Sequence, residues 1–256
     1  MQDDFVSTVV QSPLHRVLSR SIKAALAGSL ALAILPAAHA TTTIDFNNLT
    51  GAAMYNGETS YVNNGFYIEN FSNSGFAQPG DYVGMIVDDG ANQCALSLQC
   101  PVTNTPYLAA VNDGVMYATR DQDHQSFLIK SFQAAFLGPV DPTNPSVTGL
   151  LSIQAHGASG TQTVTFNLGA PGANGFEFAN YTTSGAFSTT LFSAFYVYGY
   201  ACNAGGSCTA FNSDRGQFAI DNIVTSAVSA VPEPSSWMML GAGLLGLAAA
   251  ARRRKA

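Results

Sequence analysis

Asp121-Gln122-Asp123-His124 is the densest run of chemistry-bearing side chains in the sequence. On a loop, an Asp-x-Asp pair offers hard oxygens to a metal ion; on a strand, it sets both carboxylates on one face. The ordinary alternative is a solvated loop. Asp88-Asp89-Gly90 reads more simply as a turn. Catalytic sets are poorly represented. Past residue 40 the histidines are His124 and His156, the latter in IQAHGASG at an expected hairpin end, which suits a turn residue. There is no Gly-x-Ser-x-Gly elbow, no His-Glu-x-x-His and no phosphate loop. No catalytic residue is assigned, and the expectation is a protein that is not an enzyme, although any two acids that meet in a cleft would serve a glycosidase. Tyr196, Tyr198 and Tyr200 alternate with Phe195 and Val197, so one strand face carries a tyrosine row. Such rings stack on pyranose faces with their hydroxyls in water. Burial in a sandwich core produces the same pattern and is the commoner cause.

The elements that must position these groups are strands. TTTIDFNNL (41–49), GFYIENFS (65–72), DYVGMIVDDG (81–90), TLFSAFYVYGYA (190–201) and RGQFAIDNIVTSAV (215–228) are short, alternating or β-branched and aromatic. GLLSIQAHG (149–157) and TQTVTFNLG (161–169) form a hairpin turned at residues 157–160. SFLIKSFQAAFL (126–137) has the apolar weight for either strand or helix. Gly, Asn and Pro punctuate the rest, as in GPVDPTNPS (138–146). The pattern predicts an all-β chain with a single β-sandwich of jelly-roll type over residues 41–228.

Charge narrows the partners. Between Thr41 and Val231 the cations are Arg120, Lys130 and Arg215, against thirteen acids, a net of about −10. That field repels nucleic acid and favours cations. Cys94 and Cys100 enclose ALSLQ, and Cys202 and Cys208 enclose NAGGS. In an exported protein, disulfides are the default. Local pairing, Cys94–Cys100 and Cys202–Cys208, is expected. A four-thiolate zinc site is the alternative, but its ligand pairs normally have two to four intervening residues.

Both ends read as sorting signals. His15, Arg16, Arg20 and Lys23 precede an uncharged apolar stretch from Ala24 to Leu35; Pro36 and Ala38-His39-Ala40 follow. This is the order of a secretory signal peptide over residues 1–40, cleaved after Ala40 by its small residues Ala38 and Ala40. At the other end, a linker (229–236) leads into an apolar segment from Trp237 to Ala251. That segment is roughly 22 Å long as a helix, short for a membrane core of about 30 Å. Arg252, Arg253, Arg254 and Lys255, in a basic tail over 252–256, form a stop-transfer cluster held in the cytoplasm. The physics implies a chain exported until its single transmembrane helix lodges in the inner membrane.

Val231-Pro232-Glu233-Pro234, an apolar helix rich in small residues, and RRRK in that order resemble the PEP-CTERM sorting signal of exopolysaccharide-producing Gram-negative bacteria. The resemblance implies an exosortase as partner, recognising Pro232, Glu233 and Pro234 and removing the tail. It further implies release to the outer surface or the extracellular matrix of a biofilm. Upstream, Gln217-Phe218-Ala219-Ile220-Asp221-Asn222-Ile223 looks like the QFxxD closing strand of some such proteins. It is also similar to the last strand of galactose-binding-like jelly rolls. That similarity implies a structural calcium beside the first strand, with Asp221 and Asp45 supplying part of its oxygen shell and Asn222 or backbone carbonyls the rest. The expected function is a non-catalytic surface or matrix protein associated with exopolysaccharide. The alternatives are a hydrolase of the same polymer working through a carboxylate pair, and a purely structural protein without ligand.

Overall fold

The computed structural model describes residues 39–88, 98–139, 148–172, 175–203, 205–212, 215–228 and 240–245. The chain divides into two compact units. One runs from His39 to Val228; the other joins residues 1–38 with 229–256. In the latter, the described residues 240–245 are helical and expose Leu240, Leu244 and Leu245. Among the described residues, no helix is long and apolar enough to cross a membrane. Residues 1–38, the Pro232-Glu233-Pro234 motif, most of the expected membrane helix and the tail from Arg252 to Lys255 lie outside the described residues.

The larger unit is built from strands. In chain order they are β1 His39–Ile44, β2 Ala53–Tyr55, β3 Ser60–Asn63, β4 Phe66–Ser72, β5 Tyr82–Val87, β6 Leu98–Gln99, β7 Tyr107–Ala110 and β8 Gly114–Arg120. There follow β9 Phe127–Phe136, β10 Gly138–Pro139, β11 Thr148–Gly157, β12 Gly160–Leu168, β13 Ala179–Thr182, β14 Ala194–Cys202, β15 Cys208–Thr209 and β16 Phe218–Val228. The first seven-stranded sheet runs β13-β9-β16-β7-β5-β2, with β1 also on β16. The second runs β12-β11-β14-β8-β4-β3, with β15 on β14. Residues 126–137 fit either period; Phe127–Phe136 form a strand, β9, in which Phe127 and Ile129, and then Phe132, Ala134 and Phe136 beyond an irregularity in register at Ser131, are buried in the core.

The two sheets face each other across an aromatic core. Phe66 of the second sheet meets Phe127 of the first edge-on at 5.0 Å, and Phe127 meets Phe195 at 5.9 Å. Phe132 meets Phe166 at 4.9 Å. Such edge-to-face pairs add about 0.5–1.5 kcal/mol each beyond area burial. A smaller apolar layer lies on the outer side of the first sheet: Val87, Cys100, Tyr107, Ala109, Val111, Ala135, Leu137 and Ala219 pack together there. The segment before β7 covers it, pinned by the Tyr107 hydroxyl donating to the Pro101 carbonyl at 3.0 Å.

Turn chemistry explains the tightest connections. Asn64 and Gly65 both take positive φ, 47° and 81°, the geometry that a two-residue β-hairpin needs between β3 and β4. Cys202 is bonded to Cys208 across the β14–β15 pair, the local pairing expected from the spacing; this removes the four-thiolate zinc alternative. Cys100 is disulfide-bonded as well. Cys94, and with it the Cys94–Cys100 pairing, lies outside the described residues.

Glycine is required where two backbones touch. A Cβ on Gly199 of β14 would stand 2.7 Å from the Gly216 carbonyl oxygen, which is backbone and has nowhere to move. Gly199→Ala is therefore expected to lower the urea unfolding free energy by about 1–3 kcal/mol. Gly75→Ala, at a position open to solvent on its Cβ side, should leave the same transition within about 0.5 kcal/mol of the parent.

Candidate functional site

Alternation along β14 decides the fate of the tyrosine row. Phe195 and Val197 are fully buried, while Tyr196, Tyr198 and Tyr200 are half-buried on the opposite, outer face of the second sheet. The core reading of these tyrosines is thus corrected: Phe and Val fill the inward positions, so the tyrosines are left outside. Neighbouring strands extend the face. Tyr196 stands opposite Tyr117 of β8 and Gln154 of β11; Tyr117 stands opposite Glu69 of β4; Tyr198 stands opposite Ser152. Thr161, Thr163 and Thr165 continue it on β12 as exposed hydroxyls. The rings touch: Tyr117 and Tyr196 lie 5.0 Å apart, Phe71 and Tyr196 6.3 Å, Tyr198 and Phe211 5.2 Å.

This face is wide, aromatic and rich in neutral hydrogen-bonding groups. Partial burial raises the Tyr117 and Tyr198 phenols above their ordinary range, so both remain neutral. His156 belongs to it too. It is the last-but-one residue of β11, paired with Thr161, and not a turn residue as its place near Gly157 suggests. Its Nδ1 lies 2.8 Å from the Thr161 hydroxyl, and its ring meets Tyr196 edge-on at 5.4 Å. Arg120, at the end of β8, is turned to the core ring of Phe66, over which it lies at 5.2 Å.

A second polar site lies where β1 meets β16. Ile44 pairs with Ile223, which sets Asp45 beside Asn222 and Asp221. Backbone strain marks the place: Phe46 and Asn222 hold φ of 53° and 50°, a left-handed conformation that side chains other than glycine adopt at a cost. Asp221 is 2% exposed. Its carboxylate accepts from the Asn222 backbone N–H at 2.7 Å, the Asn222 amide at 3.0 Å and the Thr105 hydroxyl at 3.3 Å. The Asn222 amide also donates to Gln133 Oε1 at 2.9 Å. Asp45 Oδ1 accepts from the Asn47 backbone at 3.3 Å and from the Asn64 amide at 3.2 Å.

A calcium shell takes six to eight oxygens, backbone carbonyls among them. Asp45, Asp221, Gln133 and Thr105 supply side-chain oxygens, but no third acidic, histidine or cysteine side chain joins them among the described residues. Oxygens of both aspartates are also engaged by N–H donors of the protein. The two aspartates do sense each other: burial first, and then the charge of Asp45, push the Asp221 carboxyl up to about 7.

Asp123 is placed where no metal is needed. Arg120 Nε and Nη2 donate to its two oxygens at 3.0 and 2.6 Å, and the Gln125 N–H adds a third bond. The Arg120 hydrogen bonds hold its carboxyl down to about 2. The Asp121–His124 run is a loop closed by its own ion pair. A cavity of about 450 Å³ was not visible in the sequence at all. Val102, Thr103, Gln133, Phe176, Glu177, Phe178 and Asp221 line it, and they come from four separate stretches of chain.

The folded chain protonates Asp221 at a higher pH than the unfolded chain, near 7 against 3.8. Stability from this group is therefore full below about pH 4 and is lost as pH rises through 7. Asp221→Asn should raise the unfolding free energy measured near pH 8 by about 1–3 kcal/mol, and leave that near pH 4 almost unchanged. Equal effects at both pH values would rule out a buried, uncompensated carboxylate.

The comparisons with known proteins divide by region. No curated protein matches the chain in sequence. Among solved structures, the chain is similar to a DUF4465 family protein from Bacteroides ovatus, with a TM-score of 0.43 and 10% identity, over 75% of this chain and 100% of that one. It is similar, too, to the C-terminal family 22 carbohydrate-binding module of a Clostridium thermocellum protein, with a TM-score of 0.32 and 12% identity, over 74% of this chain and 94% of that one. A family 11 carbohydrate-binding module from Clostridium thermocellum gives a TM-score of 0.28 at 12% identity, over 77% and 99% respectively. The C-terminal residues are more specific. Over residues 230–255, the chain carries the PEP-CTERM protein-sorting motif.

Proposed function

We propose that this is an exosortase-processed protein of the cell surface or extracellular matrix that binds exopolysaccharide, without catalysis, on the outer face of its second sheet. The PEP-CTERM motif makes the chain an exported, exosortase-targeted protein. One observation carries the binding reading: Tyr117, Tyr196, Tyr198 and Tyr200 form a half-exposed aromatic patch on a face that also presents Ser, Thr, Gln and His side chains. Rings stack on the C–H faces of pyranoses, and hydroxyls and amides pair with sugar hydroxyls. Glu69 is the carboxylate of this face, opposite Tyr117. Its negative charge disfavours an acidic sugar, so the preferred polymer is a neutral or amino-bearing glycan and not a polyuronate.

Binding of the purified protein to a panel of polysaccharides, followed by affinity electrophoresis, tests this. A neutral glucan or galactan should retard the chain, and alginate should not. Tyr196→Ala should weaken retardation at least tenfold, about 1.4 kcal/mol, while Tyr196→Phe keeps most of it. Preferential binding of alginate, or indifference to Tyr196→Ala, would overturn the reading.

A second reading rests on the cavity. Glu177 and the buried Asp221 both line it, and two carboxyls with separated acidities are what a hydrolase needs. Release of reducing ends from the bound polymer, lost in Glu177→Gln, would favour this reading.

The sorting segment has its own test. Replacing Pro232-Glu233-Pro234 with three alanines should leave the chain uncut in the inner-membrane fraction. Normal release of that variant would remove these three residues from the processing role.

A further inference from the structure

The cavity on the outer side of the first sheet is distinct from the tyrosine face, which belongs to the other sheet. Its floor is a register pair, Gln133 of β9 and Asp221 of β16. Both side chains point away from the core, since their neighbours Phe132, Ala134 and Ile220 point into it. Val102 and Thr103 form one wall; Phe176, Glu177 and Phe178 form the other. Phe176 and Phe178 are themselves held by edge-on contacts with Phe136 at 5.5 Å and Tyr107 at 5.1 Å. The walls are therefore set before any ligand arrives.

The floor carries an uncompensated charge. Among the described residues, every donor to Asp221 is neutral: a backbone N–H, an amide and a hydroxyl. Among the described residues, the ion pair present is Arg120–Asp123, and Lys130 Nζ donates to the Ser188 carbonyl instead. Asp45 adds a like charge. Burial of a carboxylate with no cation is unfavourable, and a ligand that brought a positive charge would relieve it. The size and walls say what kind of cation. A volume of about 450 Å³ with two phenyl walls suits an organic ligand. Phenyl rings attract both the C–H face of a sugar and a positive charge. Gln133 and Thr103 are held in place, the Gln133 amide donating to Asn180 Oδ1 and the Thr103 hydroxyl to the Thr105 carbonyl, and Glu177 stands exposed at the rim to draw a cation in.

We propose that this cavity binds a pyranose unit bearing a free ammonium group, with the ammonium paired to Asp221 and Glu177 and the ring between Phe176 and Phe178. The site deepens the polysaccharide reading by naming an amino sugar as one component of the glycan, yet it can be tested apart from the tyrosine face. Isothermal titration of the full-length chain in detergent, near neutral pH, would use glucosamine, N-acetylglucosamine, glucose and calcium chloride as probes. Glucosamine should bind at least tenfold more tightly than either neutral sugar. Glu177→Gln, at an exposed position that the fold does not need, should weaken glucosamine at least threefold, and Asp221→Asn should abolish its binding. Tyr196→Ala should leave it unchanged, so failure of the tyrosine-face reading and failure of this one give different results. Equal affinity for glucose, no binding of glucosamine, or calcium binding lost in Asp221→Asn would each overturn the proposal.

Discussion

The pairing of β16 with three other strands is the constraint on which the larger unit depends. Its first half lies between β9 and β7, and its second half lies between β9 and β1. The last strand in sequence is thus central in its sheet, and the first strand in sequence has β16 as its partner, from His39↔Val228 to Ile44↔Ile223. A sheet whose middle is its final segment cannot close until that segment has been made and, in an exported protein, has crossed the membrane. Long sequence separation between partners also makes folding slow. Both properties favour a chain that is threaded through unfolded and completes itself outside. The sorting motif begins two residues after β16 ends, so the segment that tethers the chain directly follows the strand that completes the fold.

That same strand arrangement distributes polar groups to the two outer faces. Side chains alternate across a strand, so each inward Phe, Ile or Val commits its neighbours to an outer surface. On β14 this exposes three tyrosines. On β16 it turns Ala219 and Asp221 outward, Ala219 under an apolar cover and Asp221 into a cavity. The β1–β16 junction adds the strained backbone at Phe46 and Asn222. Strain of this type persists where surrounding packing over-determines it; here Ile44, Phe46 and Ile223, all fully buried, do so.

Most of the strands were legible in the sequence because aromatic and β-branched residues recur with period two. GFYIENFS predicts its own burial: Phe66, Ile68 and Asn70 inward, Tyr67 and Glu69 half-exposed. The hairpin of β11 and β12 was marked by its Gly-bounded turn. What the sequence concealed was facing. A row of tyrosines specifies a period but not a side, and the side was set by Phe195 and Val197 being the better core residues. His156 was misplaced because Gly157 ends a strand here and does not begin a turn. Residues 126–137 fit two periods, and only the facing sheet decides between them. Asp45 and Asp221 were found by motif, and the structure does bring them close. Gln133, Thr105 and the Phe176–Phe178 wall were invisible, since they lie 28 to 116 residues from one another and from Asp221 in sequence and meet only through the fold.

Charge connects the two faces to one another. A net of about −10 between Thr41 and Val231 is tolerable in water, where salt screens exposed acids beyond about 10 Å. It is not screened at Asp221. A buried carboxyl can lower its energy by protonation or by gaining a cation, and the field of the other acids favours both. Protonation alone would leave a pocket with nothing to discriminate between one sugar and another. A bound cation makes occupancy of the pocket and ionisation of Asp221 a single event, so the ligand gains the energy that the empty site lacks. Neutral stacking on the tyrosine face, by contrast, depends little on charge and on salt. A polymer with both neutral and ammonium-bearing units would thus meet two faces with different physics, one set by contact area and the other by charge, on opposite sides of a sandwich about two sheets thick.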